Sequence, residues 1–317
     1  INSRLELKRY TEREHRTYDT DMYAPLSLER PDPYNHIDES EGLTDPIAGR
    51  QGCHMAAAEW RFLGWLELQG FDYDLYGESQ FHFDEVPLNE YKCLAITTHP
   101  EYWSKDMYFR LKSRVFERGG RLMYLGGNGL NCEVEFLDEH RIVYHNTRWS
   151  HSEPQMKADG SQYESRFDKL QESEANLLGV VFSESGIMTA APYKVIDASH
   201  WCFEGTGLKN GDSFGEHSLH QRIPGGASGH ETDKISAQSP ANTQLLAKGL
   251  NPDDGGAELV EHEPANGGAQ TLAESEMAML PNELQSWKAH SPMAMTESGM
   301  VMLANELHPK KALTPMV

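Results

Sequence analysis

Side chains able to transfer protons or bind a metal lie where a buried strand is expected to pass into a helix. The stretch 94-LAITTHPEYWSKDMYFRL-111 opens with an apolar run of strand length, and from Ser104 onward its spacing is helical. His99 and Glu101 lie between the two. An imidazole and a carboxylate in this place would serve acid–base catalysis or metal binding. Alternatively, Glu101 only stabilises the positive end of the following helix.

Another polar group follows the next strand along the chain. The run 121-RLMYLGG-127 has the apolar character of a strand, and Asn128 lies in the 126-GGNG-129 turn that ends it. Strands joined by one crossover helix are usually neighbours, and ligands bind beyond the carboxyl ends of such strands. We therefore expect His99, Glu101 and Asn128 to converge on one crevice. The alternative is that the glycines form only a tight turn.

A glycine-rich stretch further along the chain carries two more carboxylates. Glu231 and Asp233 lie in 224-PGGASGHETDKIS-236, whose glycines would let the backbone approach a ligand closely. Glu231 would serve as a general base if it were partly desolvated. On composition alone, a solvated surface loop is the commoner outcome for such a stretch.

Other catalytic motifs are missing from the sequence. There is no G-x-S-x-G motif, no Walker loop and no H-E-x-x-H motif. No cysteine follows the strand at 94–98, where a glutamine-amidotransferase-like sheet would carry its nucleophile, so a thiol nucleophile is not expected. The cysteines are far apart and include no C-x-x-C pair, which favours free thiols of a cytoplasmic protein, with a disulfide pairing as the alternative: Cys53, Cys93, Cys132 and Cys202.

Composition predicts a sizeable core and neither a nucleic acid nor a membrane as partner. The chain has 317 residues, enough for one large domain or two ordinary ones. Its 49 acidic and 28 basic side chains give a formal net charge of −21, which repels a phosphate backbone. No window approaches the ~20 apolar residues of a membrane span. The charged opening is unlike a signal peptide, and the lack of an initiator methionine suggests part of a longer or processed polypeptide.

The elements that would position these residues alternate between helix and strand. A helix is predicted within 54–70, strands over 71–76 and 91–98, a helix from Ser104 to the Gly119-Gly120 pair, and a strand over 121–127. Further strands are predicted at 177–182, 193–203, 243–250 and 300–305, with hints near 142–144. This order predicts an α/β fold with a doubly wound, mostly parallel sheet and long loop decorations. Residues 1–50 would form a polar wrapping segment, and 51–317 a single α/β domain.

Four pieces of the sequence, taken in order, resemble the large (beta) subunit of the N,N-dimethylformamidases. They are 60-WRFLGWLELQGFDYDLY-76, 98-THPEYWS-104, 119-GGRLMYLGGNG-129 and 225-GGASGHETDKI-235. The resemblance implies a glutamine-amidotransferase-like C-terminal domain and hydrolysis of dimethylformamide to dimethylamine and formate. Proteins of this family use a mononuclear ferric iron, Fe(III), held by two tyrosines and one glutamate.

The resemblance also implies a role for each candidate residue. Glu101 would be the carboxylate ligand of the iron, and Tyr18 would supply one phenolate. His99 would line the pocket beside the ion, Asn128 would orient the substrate, and Glu231 would act as general base. A hard trivalent ion prefers such anionic oxygen ligands, and it would polarise the amide carbonyl without a covalent nucleophile.

The implied partners are a small amide substrate and a small subunit, together with self-association. A second hypothesis belongs to another class of protein, a catalytically inactive or partial α/β domain that serves as an assembly or carbohydrate-binding module. Two departures from the family favour it. The second tyrosine of the family lies upstream of the start of this chain, with Tyr23 as a substitute to consider, and the residues after Gly129 differ from the family pattern.

Overall fold

The computed structural model describes residues 26–28, 56–144, 160, 164–217, 223–263, 271–274 and 300–304. The helices are α1 (Ala56–Gln69), α2 (Glu78–His82), α3 (Lys105–Arg118), α4 (Phe167–Leu170) and α5 (Ala175–Leu178). Within these ranges, no helix is both long and apolar enough to cross a membrane. Most of the predicted wrapping segment, including Tyr18, lies outside the described residues.

The strands of the first half of the chain are β1 (Leu26–Ser27), β2 (Tyr73–Gly77), β3 (Cys93–Thr98), β4 (Tyr102–Trp103), β5 (Arg121–Gly126), β6 (Cys132–Phe136) and β7 (Arg141–Tyr144). Those of the second half are β8 (Val181–Ser183), β9 (Ala190–Ala191), β10 (Tyr193–Val195), β11 (Ser213–Phe214), β12 (Ser228–Gly229), β13 (Thr232–Lys234), β14 (Gln244–Gly249), β15 (Glu258–His262), β16 (Thr271–Glu274) and β17 (Met300–Ala304). Three of the cysteines, Cys93, Cys132 and Cys202, are free thiols, and Cys53 lies outside the described residues.

In the described ranges the largest sheet has nine strands, in the order β11-β10-β14-β15-β16-β5-β3-β17-β2. Its parallel pairs are β16 with β5 and β5 with β3, and its other pairs are antiparallel. The predicted α/β class is confirmed, but the sheet in the described residues is mixed rather than mostly parallel. One reason is the short connection 250–257 between β14 and β15, since a parallel pair needs a crossover of about a dozen residues or more.

The predicted strand–helix–strand unit around the candidate residues is confirmed. β3 and β5 pair in parallel up to Thr98 opposite Gly126, so the two strands end side by side. Ser104 begins α3 by accepting a hydrogen bond from the Met107 amide at 3.2 Å. Gly119, with φ 70°, ends the helix in the left-handed conformation that suits glycine. The segments that follow β3 and β5 therefore emerge at one edge.

Helices cover both faces of the parallel pair. Leu94 and Ile96 of β3 pack with Leu111 of α3 in the main core. Ala95, on the opposite face of the strand, packs with Phe62 of α1. Because β3 is buried on both faces, its sequence is a continuous apolar run rather than an alternating one.

A second core lies against β10, β14 and β15, with Tyr193 and Leu246 among its fully buried residues. Strand β15 contributes to both cores, since Val260 belongs to the main core and Leu259 to the second. Successive residues of a strand point to opposite faces. The two cores therefore lie on opposite faces of β15.

Several short elements differ from their predictions. The strand predicted at 177–182 is wrong in its first part, which belongs to helix α5 and ends at Gly179 with φ 82°. Such short apolar runs do not distinguish helix from strand. The predicted strand at 193–203 ends at Val195, and Trp201–Phe203 form a 3₁₀ turn. Strands β6, β15 and β16 were not predicted, whereas β7, β14 and β17 lie where strands were expected.

Candidate active site

His99 lies between two carboxylates in a buried position. Its Nδ1 atom is 2.9 Å from Glu231 Oε2, and its Nε2 atom is 3.3 Å from Glu101 Oε2. The exposed fractions of the side chains are 5% for His99, 5% for Glu101 and 14% for Glu231. Nδ1 is also 3.2 Å from the carbonyl oxygen of Gly127. Because a carbonyl oxygen and a carboxylate both accept hydrogen bonds, Nδ1 carries a hydrogen.

The two carboxylates determine the charge of this imidazole. Burial alone lowers the pKa of His99, but the charges of Glu231 and Glu101 and their hydrogen bonds outweigh it and hold that pKa well above its usual range. The imidazole is therefore positively charged near neutral pH. It compensates negative charge that would otherwise be costly to bury.

Asn128 belongs to the same cluster. Its Nδ2 atom donates a hydrogen bond to Glu231 Oε1 at 3.3 Å, and the residue is 2% exposed. Its Oδ1 atom is buried and has no hydrogen-bond partner among the residues that the structure describes. The convergence expected for His99, Glu101 and Asn128 is thus observed, and Glu231 joins them from a distant part of the chain.

The glycines of the 126–129 turn permit close packing between three backbone segments. A Cβ atom on Gly126 would lie 2.5 Å from the carbonyl oxygen of Thr98, at the end of β3. A Cβ atom on Gly127 would lie 2.7 Å from the carbonyl oxygen of Glu231. These distances are below any normal contact, so only glycine fits. The turn therefore does more than reverse the chain. It packs the end of β5 against the end of β3 and against the loop that carries Glu231.

Left-handed backbone conformations accompany the candidate residues. Thr98 (φ 69°) precedes His99, His230 (φ 62°) precedes Glu231, and Asn128 itself has φ 55°. Positive φ is uncommon for residues other than glycine, and most unusual for a β-branched threonine. Such strain tends to concentrate at functional sites, where the surrounding structure imposes it. All three segments of this cluster show it.

The loop that carries Glu231 is packed into the protein. Thr232 and Asp233 are 0% and 1% exposed, so the alternative of a solvated surface loop is wrong. The Asp233 carboxylate accepts hydrogen bonds from the Tyr124 hydroxyl at 2.7 Å and from the Asn128 amide at 2.8 Å. Burial raises the pKa of Asp233 to about 6, although these hydrogen bonds oppose the shift.

Asp233 is visible in the sequence beside Glu231, but no role is predicted for it there. A role for Asp233 could have been predicted from its position two residues after Glu231, because side chains two residues apart in an extended segment point to the same side. Tyr124 carried no comparable signal, since it looks like any aromatic residue of a buried strand.

Only part of the predicted metal site falls within the described residues. Tyr18 lies outside them. Among the residues that the structure describes, no three His, Cys, Asp or Glu side chains are arranged to hold a metal ion. Glu101 is 4% exposed and offers an anionic oxygen donor of the type that a hard cation prefers. The described residues therefore fit one ligand of such a site and do not complete it.

The geometry defines an α/β protein with a buried carboxylate–imidazole–carboxylate cluster beyond two parallel strands. A family model described as N,N-dimethylformamidase beta subunit-like, C-terminal, matches residues 6–300. The chain belongs to this family, as its motifs predicted. It is also 25% identical over 245 residues to the N,N-dimethylformamidase beta subunit of Paracoccus aminophilus. That alignment covers 69% of this chain and 31% of the relative, so the chain spans less than a third of the relative's length.

Proposed function

We propose that this chain carries the catalytic site of an amidohydrolase that acts on a small N-substituted formamide. Dimethylformamide, which would yield dimethylamine and formate, is the first substrate to test. The observation that carries the proposal is the buried cluster of His99, Glu101, Asn128 and Glu231 in a member of this family. The name of the Paracoccus relative supports the choice of substrate.

In the proposed reaction Glu231 is the general base. Its two oxygens lie next to His99 and Asn128, which fix the orientation of the carboxylate. It would take a proton from a water molecule as the water oxygen bonds to the amide carbonyl carbon. When the C–N bond breaks, the proton would pass to the departing amine nitrogen. One water is consumed, and Glu231 returns to its ionised form.

Iron is the cofactor in this proposal. Glu101, together with Tyr18, would hold a mononuclear ferric ion, which supplies Lewis acidity toward the amide carbonyl when bound. The burial of Glu101 and the oxygen chemistry of its carboxylate support the assignment. His99 lies 3.3 Å from Glu101 and would keep this carboxylate oriented.

Replacement of Glu231 by glutamine tests the catalytic part. We expect Glu231→Gln to lower kcat for formamide hydrolysis by about 10²- to 10⁴-fold, because the amide cannot take a proton. Formate release measures the rate. Glu204→Gln is the control, because it makes the same change at an exposed glutamate. An iron-loaded, folded wild-type protein that hydrolyses no small formamide would refute the proposal.

Metal analysis tests the cofactor separately. We expect near-stoichiometric iron and a tyrosinate-to-iron charge-transfer colour, both lost in Glu101→Ala and Tyr18→Phe. A colourless, metal-free protein that still hydrolyses formamides would exclude iron and leave the hydrolase intact. An iron-free and inactive protein would support the assembly or carbohydrate-binding module instead.

The remaining assignments are also proposals. A small partner subunit and self-association are supported by the relative's name as a beta subunit, and native mass spectrometry would measure them. A cytoplasmic location is supported by the free thiols of the described residues. A doubly wound, glutamine-amidotransferase-like sheet is supported by the parallel strands β16, β5 and β3 and by helices on both faces of β3.

A further inference from the structure

Asp233 is a buried carboxylate that the proposed reaction does not use. It accepts hydrogen bonds from the Tyr124 hydroxyl and from the Asn128 amide, and the neighbouring Gly129 amide favours its ionised form. Consecutive backbone amides next to a left-handed residue form a concavity that binds anions. Asn128, with φ 55°, provides that left-handed residue. The backbone of the 126–129 turn thus binds the Asp233 carboxylate as it would bind an anion.

These contacts close a ring between the turn and the loop of Glu231. The backbone of Asn128 is bound to Asp233, and its side chain donates to Glu231. Glu231 and Asp233 are separated by Thr232 alone, which is fully buried. The turn therefore cannot move relative to this loop without breaking both hydrogen bonds. Glu231 is in turn 2.9 Å from His99, so the ring sets the position of the base.

We propose that Asp233 is a positioning residue: it holds the left-handed turn of Asn128 against the loop that carries Glu231, and thereby fixes Glu231 relative to His99. The catalytic consequence rests on the proposed hydrolase function. The structural consequence, which is the position of the Asn128 amide, is independent of that function.

The burial of Asp233 is costly, and its hydrogen bond to the Asn128 amide explains why a carboxylate is nevertheless present. A carboxylate that is 1% exposed is costly to bury, as its raised pKa reflects, and a smaller apolar residue would avoid that cost. An apolar residue would, however, leave the Asn128 amide without this acceptor. The Tyr124 hydroxyl binds Oδ2 of the carboxylate, whereas the Asn128 amide binds Oδ1, so Tyr124 offers a matched control.

The kinetic test compares Asp233→Ala, Asp233→Asn and Tyr124→Phe in the full chain. Displacement of a catalytic group by about 1 Å can cost about 10²-fold, so Asp233→Ala is expected to lower kcat by that factor with little change in KM. The Asn side chain of Asp233→Asn still accepts from the Asn128 amide, so this variant should keep kcat within about tenfold of wild type. Tyr124→Phe should behave similarly.

Nuclear magnetic resonance of ¹⁵N-labelled protein gives a second readout that needs no activity. The Asn128 amide proton should resonate downfield, move upfield in Asp233→Ala and stay in place in Tyr124→Phe. Wild-type kcat and an unmoved amide signal in Asp233→Ala would overturn the proposal. Asp233→Asn that is as inactive as Asp233→Ala, with the Asn128 signal in place, would also overturn it, because charge rather than position would then matter.

Failure of the proposed function gives a different pattern. If wild-type protein hydrolyses no formamide, the resonance measurements alone decide whether Asp233 positions the turn. If Asp233→Ala does not fold, the comparison of Asp233→Asn with wild type decides it, since a large displacement of the Asn128 amide signal there would contradict retention of the hydrogen bond.

Discussion

Glu174 is a buried carboxylate whose charge interacts with that of Asp233. It is 2% exposed, and within the described part of the chain its Oε2 atom has no hydrogen-bond partner. Burial raises the pKa of Glu174 to about 8, and the charge of Asp233 contributes in the same direction. The folded protein therefore holds a proton on Glu174 at neutral pH, whereas the unfolded chain releases it near the ordinary pKa of 4.5.

This difference predicts a fall in stability as the pH rises. The pKa of Glu174 is higher in the folded state, so its contribution is fully present below pH 4.5 and is lost as the pH rises toward 8. Glu174→Gln removes the titration, and we expect its advantage over wild type to grow by about 4 kcal/mol between these limits. Urea unfolding at pH 5 and pH 8 measures it, with Glu204→Gln as the exposed control. Parallel pH profiles for wild type and Glu174→Gln would contradict the assignment.

Among single residues, the candidates that follow strand ends could be predicted from the sequence. His99, Glu101 and Asn128 were predictable because each is a polar residue within a few positions of the end of an apolar run. The burial of Asp233 and Glu174 could not be predicted, because nothing local distinguishes a buried carboxylate from an exposed one. Their burial arises from segments far apart in the chain, such as the contact between Asp233 and Tyr124.

At the element scale, the turn after β5 is the structure on which the cluster depends. Its glycines admit Thr98 and Glu231 at distances that a Cβ atom would not allow. The strands and helix around it were predictable, since β3, α3 and β5 are long enough to show clear patterns. Helix α3 also has a start signal at Ser104 and a stop signal at Gly119. The insertion of β16 beside β5 and of β17 between β3 and β2 was not predictable, because strand pairing over such separations leaves no local trace.

Paired glycine substitutions test this dependence. In Gly127→Ala the new methyl group would lie 2.7 Å from the carbonyl oxygen of Glu231 and force a shift. We expect a loss of about 1–3 kcal/mol in the free energy of unfolding and a fall of about 10²-fold in kcat. Gly64→Ala in α1 meets nothing within 4 Å and should instead gain about 0.5–1 kcal/mol. Equal effects in the two variants, measured by urea unfolding and formate release, would show that the turn is not tightly packed.

At the scale of the whole molecule, the two cores meet across β15. The main core contains α3, and the second core packs against β10 and β14. A strand with one face in each core gives the two regions a shared element, which favours a single folding unit. The prediction of one domain over 51–317 remains to be tested by its cooperativity.

One substitution in each core provides that test. Leu111→Ala in the main core and Leu246→Ala in the second remove fully buried side chains, so each should lower the free energy of unfolding by about 2–5 kcal/mol. If the chain is one cooperative unit, both variants shift the same single transition in calorimetry. Phe109→Ala, at a position 37% exposed, is the control and should have a much smaller effect. Separate transitions, each moved by only one variant, would contradict the single domain.

The left-handed residues Thr98, Asn128 and His230 have a consequence for how this protein would respond to selection. Each holds the main chain in a conformation that disfavours folding by an amount on the order of 1–2 kcal/mol. Random mutagenesis screened for thermostability should therefore select substitutions that remove this strain, such as glycine, at these positions. Screens for turnover should select against the same substitutions. Heat resistance and catalytic speed would then compete at three sites that are distant in the sequence and adjacent in space.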